Sequence, residues 1–323
     1  MSPPSLSETR PESLIGTATP ADTFILIETP QPWIKPALLS DGLPESLRQL
    51  VKSLLGPGTR TRVHLIANEY TSTHGRRRIL IFQRASLAGN PDPGFFQRPI
   101  GEYKAWTIDV ATPEEMAPAL SEFLGQSASA KRISRWRDRS AQRHLMICTH
   151  ASHNDCCGIY GYPFYQETIT HIQQMKLTSH IQPWEISHIG GHRFAPTLID
   201  FPQGRYYGNL NEAALECLLK QRGAIAPLLS TYRGWSLLPK PLQILEKKLW
   251  QQHGWKWLKG RVTGRILHQA ESQNRFQVEL WFESPEQLSL QYIADIHNNQ
   301  IEKYRQVAEL EPSVGQLTYP KTG

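Results

Sequence analysis

The chain has 323 residues, 39% of them apolar, enough for a sizeable core in one large domain or two. Four cysteines, two of them adjacent, exclude a disulfide framework, and the sequence shows neither a secretory signal nor a membrane span, so a soluble protein of the reducing cytoplasm is expected. A net charge of +6 favours acidic partners, which include nucleic acid, anionic lipid and acidic redox proteins.

Residues 1–21, rich in Ser, Thr and Pro, read as a mobile tail. An α/β half follows over 22–125. TFILIET predicts a buried strand, PESLRQLVKSLLG an amphipathic helix ending at Gly56, and TRVHLIANE, RRILIFQRA and YKAWTIDVA three more strands. Thr112, Pro113 and Glu115 predict a capping box at the start of a second helix, TPEEMAPALSEFLG. Residues 126–142, polar and strongly basic, read as a linker or surface helix.

The stretch 143–225 repeats the order. RHLMICT predicts a strand, YPFYQETITHIQQMK a helix, PWEISHI, APTLIDF and GRYYG strands, and NEAALECLLKQRG a closing helix. Both halves therefore read β-α-β-β-β-α, and the first is expected to be a degenerate duplicate of the second. Residues 226–323 change character: an amphipathic helix, PLQILEKKLWQQHGW, precedes four strand candidates. Phe276, Val278, Leu280 and Phe282 alternate with mostly polar neighbours, and His297-Asn298-Asn299 falls where a hairpin turn is needed, so an antiparallel meander is expected, ending in a loose tail.

The chemistry concentrates between residues 148 and 192. Cys148 and Cys157 are separated by eight residues, and His188 and His192 enclose Ile189, Gly190 and Gly191. Two thiols and two imidazoles suggest a four-ligand metal site. Two consecutive glycines disfavour a helix, and an extended strand would hold the histidine Cα atoms about 13 Å apart, so the chain must bend between them. Spacing leaves two metals open. A Cys2His2 zinc usually has a shorter cysteine gap, and a longer loop can wrap the wider 2Fe-2S cluster. A chance grouping of core or surface residues is the third possibility.

His150 and His153, inside the cysteine loop, are rival ligands on proximity, with polar loop residues or donors to the true ligands as the plainer reading. Cys156 and Cys157 lack the spacer of a thioredoxin-like redox motif, which weakens a thiol oxidoreductase reading, and Cys217 reads as a small buried hydrophobe. Basic tracts interleaved with Trp250, Trp255 and Trp257 carry no nucleic-acid motif and read as a solvated face over core tryptophans. There is no dinucleotide fingerprint, so electrons would have to come from another protein or a small reductant.

The combination of C-x8-C with H-x-G-G-H resembles the signature of the sucrase/ferredoxin-like family, over about residues 22–225 and including FILIETPQPW. That resemblance implies a thioredoxin-like ferredoxin domain, with Cys148, Cys157, His188 and His192 holding a 2Fe-2S cluster and Cys156 a bystander. It points to a one-electron carrier rather than an enzyme, and the basic charge, set beside such a cluster, to an acidic redox partner. No carboxylate pair placed for glycoside hydrolysis accompanies it.

Overall fold

The computed structural model describes residues 13–68, 77–84, 103–125, 136–138, 142–270, 272, 274–284 and 288–310. Most of the basic stretch 126–142, residues 1–12 and the tail beyond 310 lie outside these.

In chain order the first half contains β1 (Thr23–Glu28), α1 (Glu45–Leu54), β2 (Thr61–Ala67), β3 (Arg77–Gln83), β4 (Lys104–Val110) and α2 (Met116–Phe123), followed by β5 (Trp136–Asp138). The second contains β6 (Arg143–Cys148), α3 (Tyr162–Gln174), β7 (Ile181–Ile186), β8 (Leu198–Phe201), β9 (Arg205–Tyr207) and α4 (Glu212–Lys220). Then come α5 (Ala226–Ser230), β10 (Tyr232–Trp235), α6 (Lys240–His253) and the strands β11 (Arg261–Ala270), β12 (Arg275–Glu283), β13 (Ser289–His297) and β14 (Gln300–Leu310).

Among the described residues, ten strands form one mixed sheet in the order β10-β9-β8-β6-β7-β2-β1-β3-β4-β5. Each half has the same local pattern. β1 runs parallel to β2 and antiparallel to β3, just as β6 runs parallel to β7 and antiparallel to β8. This is the thioredoxin-like arrangement, met twice. The halves join where β2 and β7 pair antiparallel through Ile66↔Ile186 and Ala67↔Glu185, and the Ser187 N–H donates to Leu65 O at 2.8 Å. Because the strands meet at their carboxyl ends, the loops after β1 and β6 come together at this seam.

β1 is buried on both faces. Ile25 and Ile27 face a core with Leu47 and Val51 of α1 and Leu120 of α2, whereas Phe24 and Leu26 join a second core that continues through the other half and the C-terminal elements. The second sheet, β11-β12-β13-β14, is the expected meander. Val278, Leu280 and Phe282 are buried, and Asn298 and Asn299 take φ of 49° and 61°, the left-handed turn that feeds a hairpin. Trp250 and Trp257 are core residues at 0% and 1% exposure, which removes them from any nucleic-acid surface.

Three expectations need correction. Residues 13–21 are not a mobile tail: Ala18 and Ala21 are fully buried, and the Gly16, Thr17 and Ala18 N–H groups donate to Arg233 O. Within 126–142, residues 136–138 form an edge strand on β4 rather than a linker or helix. The capping box does not form. Pro113–Glu115 is a 3-10 turn, the Thr112 side chain caps nothing, and Glu115 instead accepts from the Ala111 N–H at 3.3 Å.

Candidate metal centre

β6 brings Cys148 to the seam, level with Ile186, and the Cys148 N–H donates to Thr197 O at 3.0 Å. The loop then reverses tightly. His153 and Asn154 N–H groups donate to His150 O, and Asn154 receives both the Cys156 N–H on its Oδ1 and the Cys157 N–H on its carbonyl. Cys157 thus begins a π-helical turn, Cys157–Gly161, that runs into α3. Such turns recur at functional sites. A Cβ at Gly161 would overlap the Cys148 carbonyl oxygen, so only glycine permits this close return.

His188 lies just beyond β7. Its Nδ1 is 3.7 Å from Cys157 Sγ, and the ligand atoms of Cys148, Cys157 and His188 all lie within 4.8 Å of one another. Both cysteines are 1% exposed and His188 is half-buried. Gly190 and Gly191 supply the required bend, with φ of +82° and +76°, and the half-buried His192 follows at the head of a short 3-10 turn. Its ring centroid comes 5.8 Å from that of His188. His192 therefore neighbours the three-residue group without belonging to it.

The hydrogen bonds answer for the rival residues. His150 uses both ring nitrogens: Nδ1 accepts from the His188 N–H at 3.3 Å, and Nε2 donates to Ile34 O at 3.2 Å. It orients His188 instead of competing with it. His153 stacks on the His188 ring at 3.7 Å, and burial with the His188 and Lys35 charges lowers its pKa to about 4. Cys156 is half-buried beside the pair, and Cys217 is buried far along the chain on α4, its thiol donating to Ala224 O.

The two close thiols ionise as a pair. The Cys157 hydrogen bond holds Cys148 well below the usual thiol range despite burial, with His188 and the His150 backbone helping, while the same contact and burial push Cys157 up. One thiolate is thereby stabilised before any metal arrives, the state a soft metal needs. On β2, burial and the charges of Arg62 and His188 lower the His64 pKa to about 3.

The loop after β1 covers the centre. Trp33 packs edge-on to His150, the Ser152 hydroxyl donates to Trp33 O at 2.6 Å, and Gln31 bridges Thr149 and Glu185. Sequence reasoning missed these residues, although the FILIETPQPW segment held them. In the first half, Glu28 stands where Cys148 stands in the second, since Glu28↔Ile66 and Cys148↔Ile186 end equivalent parallel pairs. A separate cavity of about 430 Å³, lined by residues such as Asn68, Arg78, His144 and Gln173, has none of the four candidate ligands in its wall.

A family model described as sucrase/ferredoxin-like matches residues 14–234, wider at both ends than the 22–225 expected from motifs and taking in the ordered segment before β1 and most of β10. Altered inheritance of mitochondria protein 32 of Meyerozyma guilliermondii is 25% identical over 135 residues, 38% of this chain and 47% of that protein, so the chain spans about half the length of that relative. Among solved structures, a thioredoxin-like 2Fe-2S ferredoxin from Aquifex aeolicus is similar at 14% identity and a TM-score of 0.26, covering 30% of this chain and 96% of that one.

Proposed function

The chain belongs to the sucrase/ferredoxin-like family, and from that premise we propose that it is a one-electron carrier holding a 2Fe-2S cluster on Cys148, Cys157, His188 and His192. The observation that carries this reading is the convergence of two buried thiols and the His188 imidazole at the seam, with His192 turned back toward them. The donor set fits such a group: sulfur and imidazole, one thiol already favoured as thiolate, and one of the two rival histidines, His150, engaged at both nitrogens. When bound, the cluster would accept and release one electron at a higher potential than all-cysteine clusters, because neutral imidazoles replace two negative thiolates.

The protein's own groups do the rest. His150 orients His188 through its backbone, and Trp33 with its loop holds the cysteine loop at His150 and Ser152. All four cysteines are free, which suits the reducing cytoplasm proposed as its location, and no helix among the described residues is long and apolar enough to cross a membrane. The proposed partner is an acidic redox protein. Supporting it are the +6 charge and the exposed Ile34, Leu39, Ile159, Tyr160 and Tyr162 on the two loops flanking the centre.

The test is protein purified without air and assayed for metal, acid-labile sulfide and visible absorption. About two irons and two sulfides per chain with charge-transfer bands are expected. Colourless protein with one zinc per chain would replace this reading with a structural zinc module.

A further inference from the structure

The bend that returns His192 toward His188 is held from outside by Arg233 on β10. Its Nη1 donates to Gly190 O at 3.0 Å, its Nε to Thr17 Oγ1 at 3.0 Å and its Nη2 to Thr17 O at 3.1 Å. A Cβ at Gly191 would come within 2.5 Å of Nη2, so the guanidinium lies directly against the second glycine. One planar fork therefore ties the histidine loop to the segment before β1.

Arg233 is 2% exposed, and no carboxylate pairs with it among the described residues. Its other neighbours are the Phe194 and Tyr206 rings, at 5.7 and 5.6 Å. Burying an arginine without a counter-ion is costly, and burial lowers its pKa to about 10, which still leaves it charged near neutral pH. The charge of Arg193 lowers the same pKa further. The buried cation thus sits against the Gly190-Gly191 bend, on the loop that carries His188 and His192.

We infer that Arg233 is a positioning residue for the proposed centre: it fixes the Gly190-Gly191 bend that orients His188 and His192, and its buried charge favours the reduced state. This rests on the reading of Cys148, Cys157, His188 and His192 as the ligands. Reduction would add one electron, and so one negative charge, to the group that these four residues would hold beside the loop Arg233 clamps, with the electron supplied by the redox partner.

Two measurements on the full chain separate the parts. In metal-free protein, Arg233→Lys keeps the charge and loses the fork, so the Gly190 and Gly191 amides should exchange hydrogen faster than in wild type while β1 and β6 amides do not. Unchanged exchange at both glycines overturns the clamp, whether or not the protein ever holds iron. In protein loaded with iron and sulfide, Arg233→Met should lower the midpoint potential, and Arg233→Lys should stay nearer wild type. Equal falls in the two variants, or none in either, overturn the electrostatic role. If Arg233→Met does not fold, a fall in Arg233→Lys as large as that of His188→Cys, which adds a thiolate, overturns it in the same way. Wild-type protein without iron would instead fail the ligand reading itself, and the amide exchange would still decide the clamp.

Discussion

At the scale of single residues, Cys148 and Cys157 owe their meeting to small neighbours: Gly161 lets the chain return against the Cys148 carbonyl, and Asn154 turns the loop by accepting two N–H groups. Cys148→Ser or Cys157→Ser is expected to remove iron and sulfide from the isolated protein, and Cys156→Ser to retain both. Loss in Cys156→Ser with retention in Cys157→Ser would redraw the ligand set. His153→Ala should also retain them. His150→Ala should retain them with reduced occupancy, because His188 then loses the acceptor for its backbone N–H. The imidazoles also predict a pH effect. With His188 bound through the Nδ1 that it turns toward Cys157, Nε2 would be the proton-bearing nitrogen. That proton is released more readily when the centre is oxidised, since the neighbouring positive charge is then larger. The oxidised form is then favoured at high pH, so the midpoint should fall as pH rises through this ionisation. A flat response in protein-film voltammetry across the stable pH range would mean that the histidines are not ionising ligands.

At the scale of elements, most strands and long helices were legible because their apolar patterns are strong: β1 and β6 were bounded within a residue by their continuous apolar runs, and the meander was announced by alternation in Phe276–Phe282 and the turn at Asn298-Asn299. The H-x-G-G-H bend was legible for a different reason, since extended geometry could not bring its histidines together. What escaped had no periodic signal. β10 is four residues of mixed type whose place depends on pairing with β9, and Ala18 and Ala21 are too small to announce burial in a Thr- and Pro-rich segment. The Thr112 capping box failed because a 3-10 turn spends Glu115 on Ala111. β10 and α6 matter to stability through Arg205, which is 2% exposed, stacks over Trp235 and Trp250 at 4.3 and 4.9 Å, and pairs with the fully buried Glu246. Glu246 also accepts from Trp257 Nε1 at 2.8 Å. Glu246→Gln keeps the shape and strands the arginine charge, so urea unfolding should show a loss of about 3 to 5 kcal/mol. The exposed Glu216–Lys220 pair is the control, and Glu216→Gln should leave the transition in place. Equal, small effects in the two variants would show that the Arg205 pair does not hold α6 to the sheet.

At the scale of the whole molecule, two thioredoxin-like halves share one sheet, and the centre sits where their carboxyl strand ends meet. The repeat of β-α-β-β-β-α could be read from the chain, but the seam could not, because nothing in a single strand says that β2 will pair with β7. The seam decides what a partner can reach. On one side the turn after Cys157 exposes Ile159, Tyr160 and Tyr162, and on the other the loop after β1 exposes Ile34 and Leu39. Lys35 is exposed on the loop after β1 and Arg193 on the histidine loop after β7, with Asp41 and Asp155 the exposed acidic residues on the loops after β1 and β6. Local charge is therefore balanced, and any long-range attraction must come from the +6 of the whole chain. This fixes the form of the kinetic prediction. Electron transfer to an acidic flavoprotein, followed by stopped flow, should slow as ionic strength rises from about 0.01 M to about 0.15 M, because the Debye length shrinks from roughly 30 Å to roughly 8 Å. Tyr160→Ser should slow it further by removing apolar contact area, and should do so about equally at low and high salt, since no charge changes. A rate that is independent of salt would remove the acidic partner. A Tyr160→Ser rate equal to wild type would move the contact away from the cysteine rim.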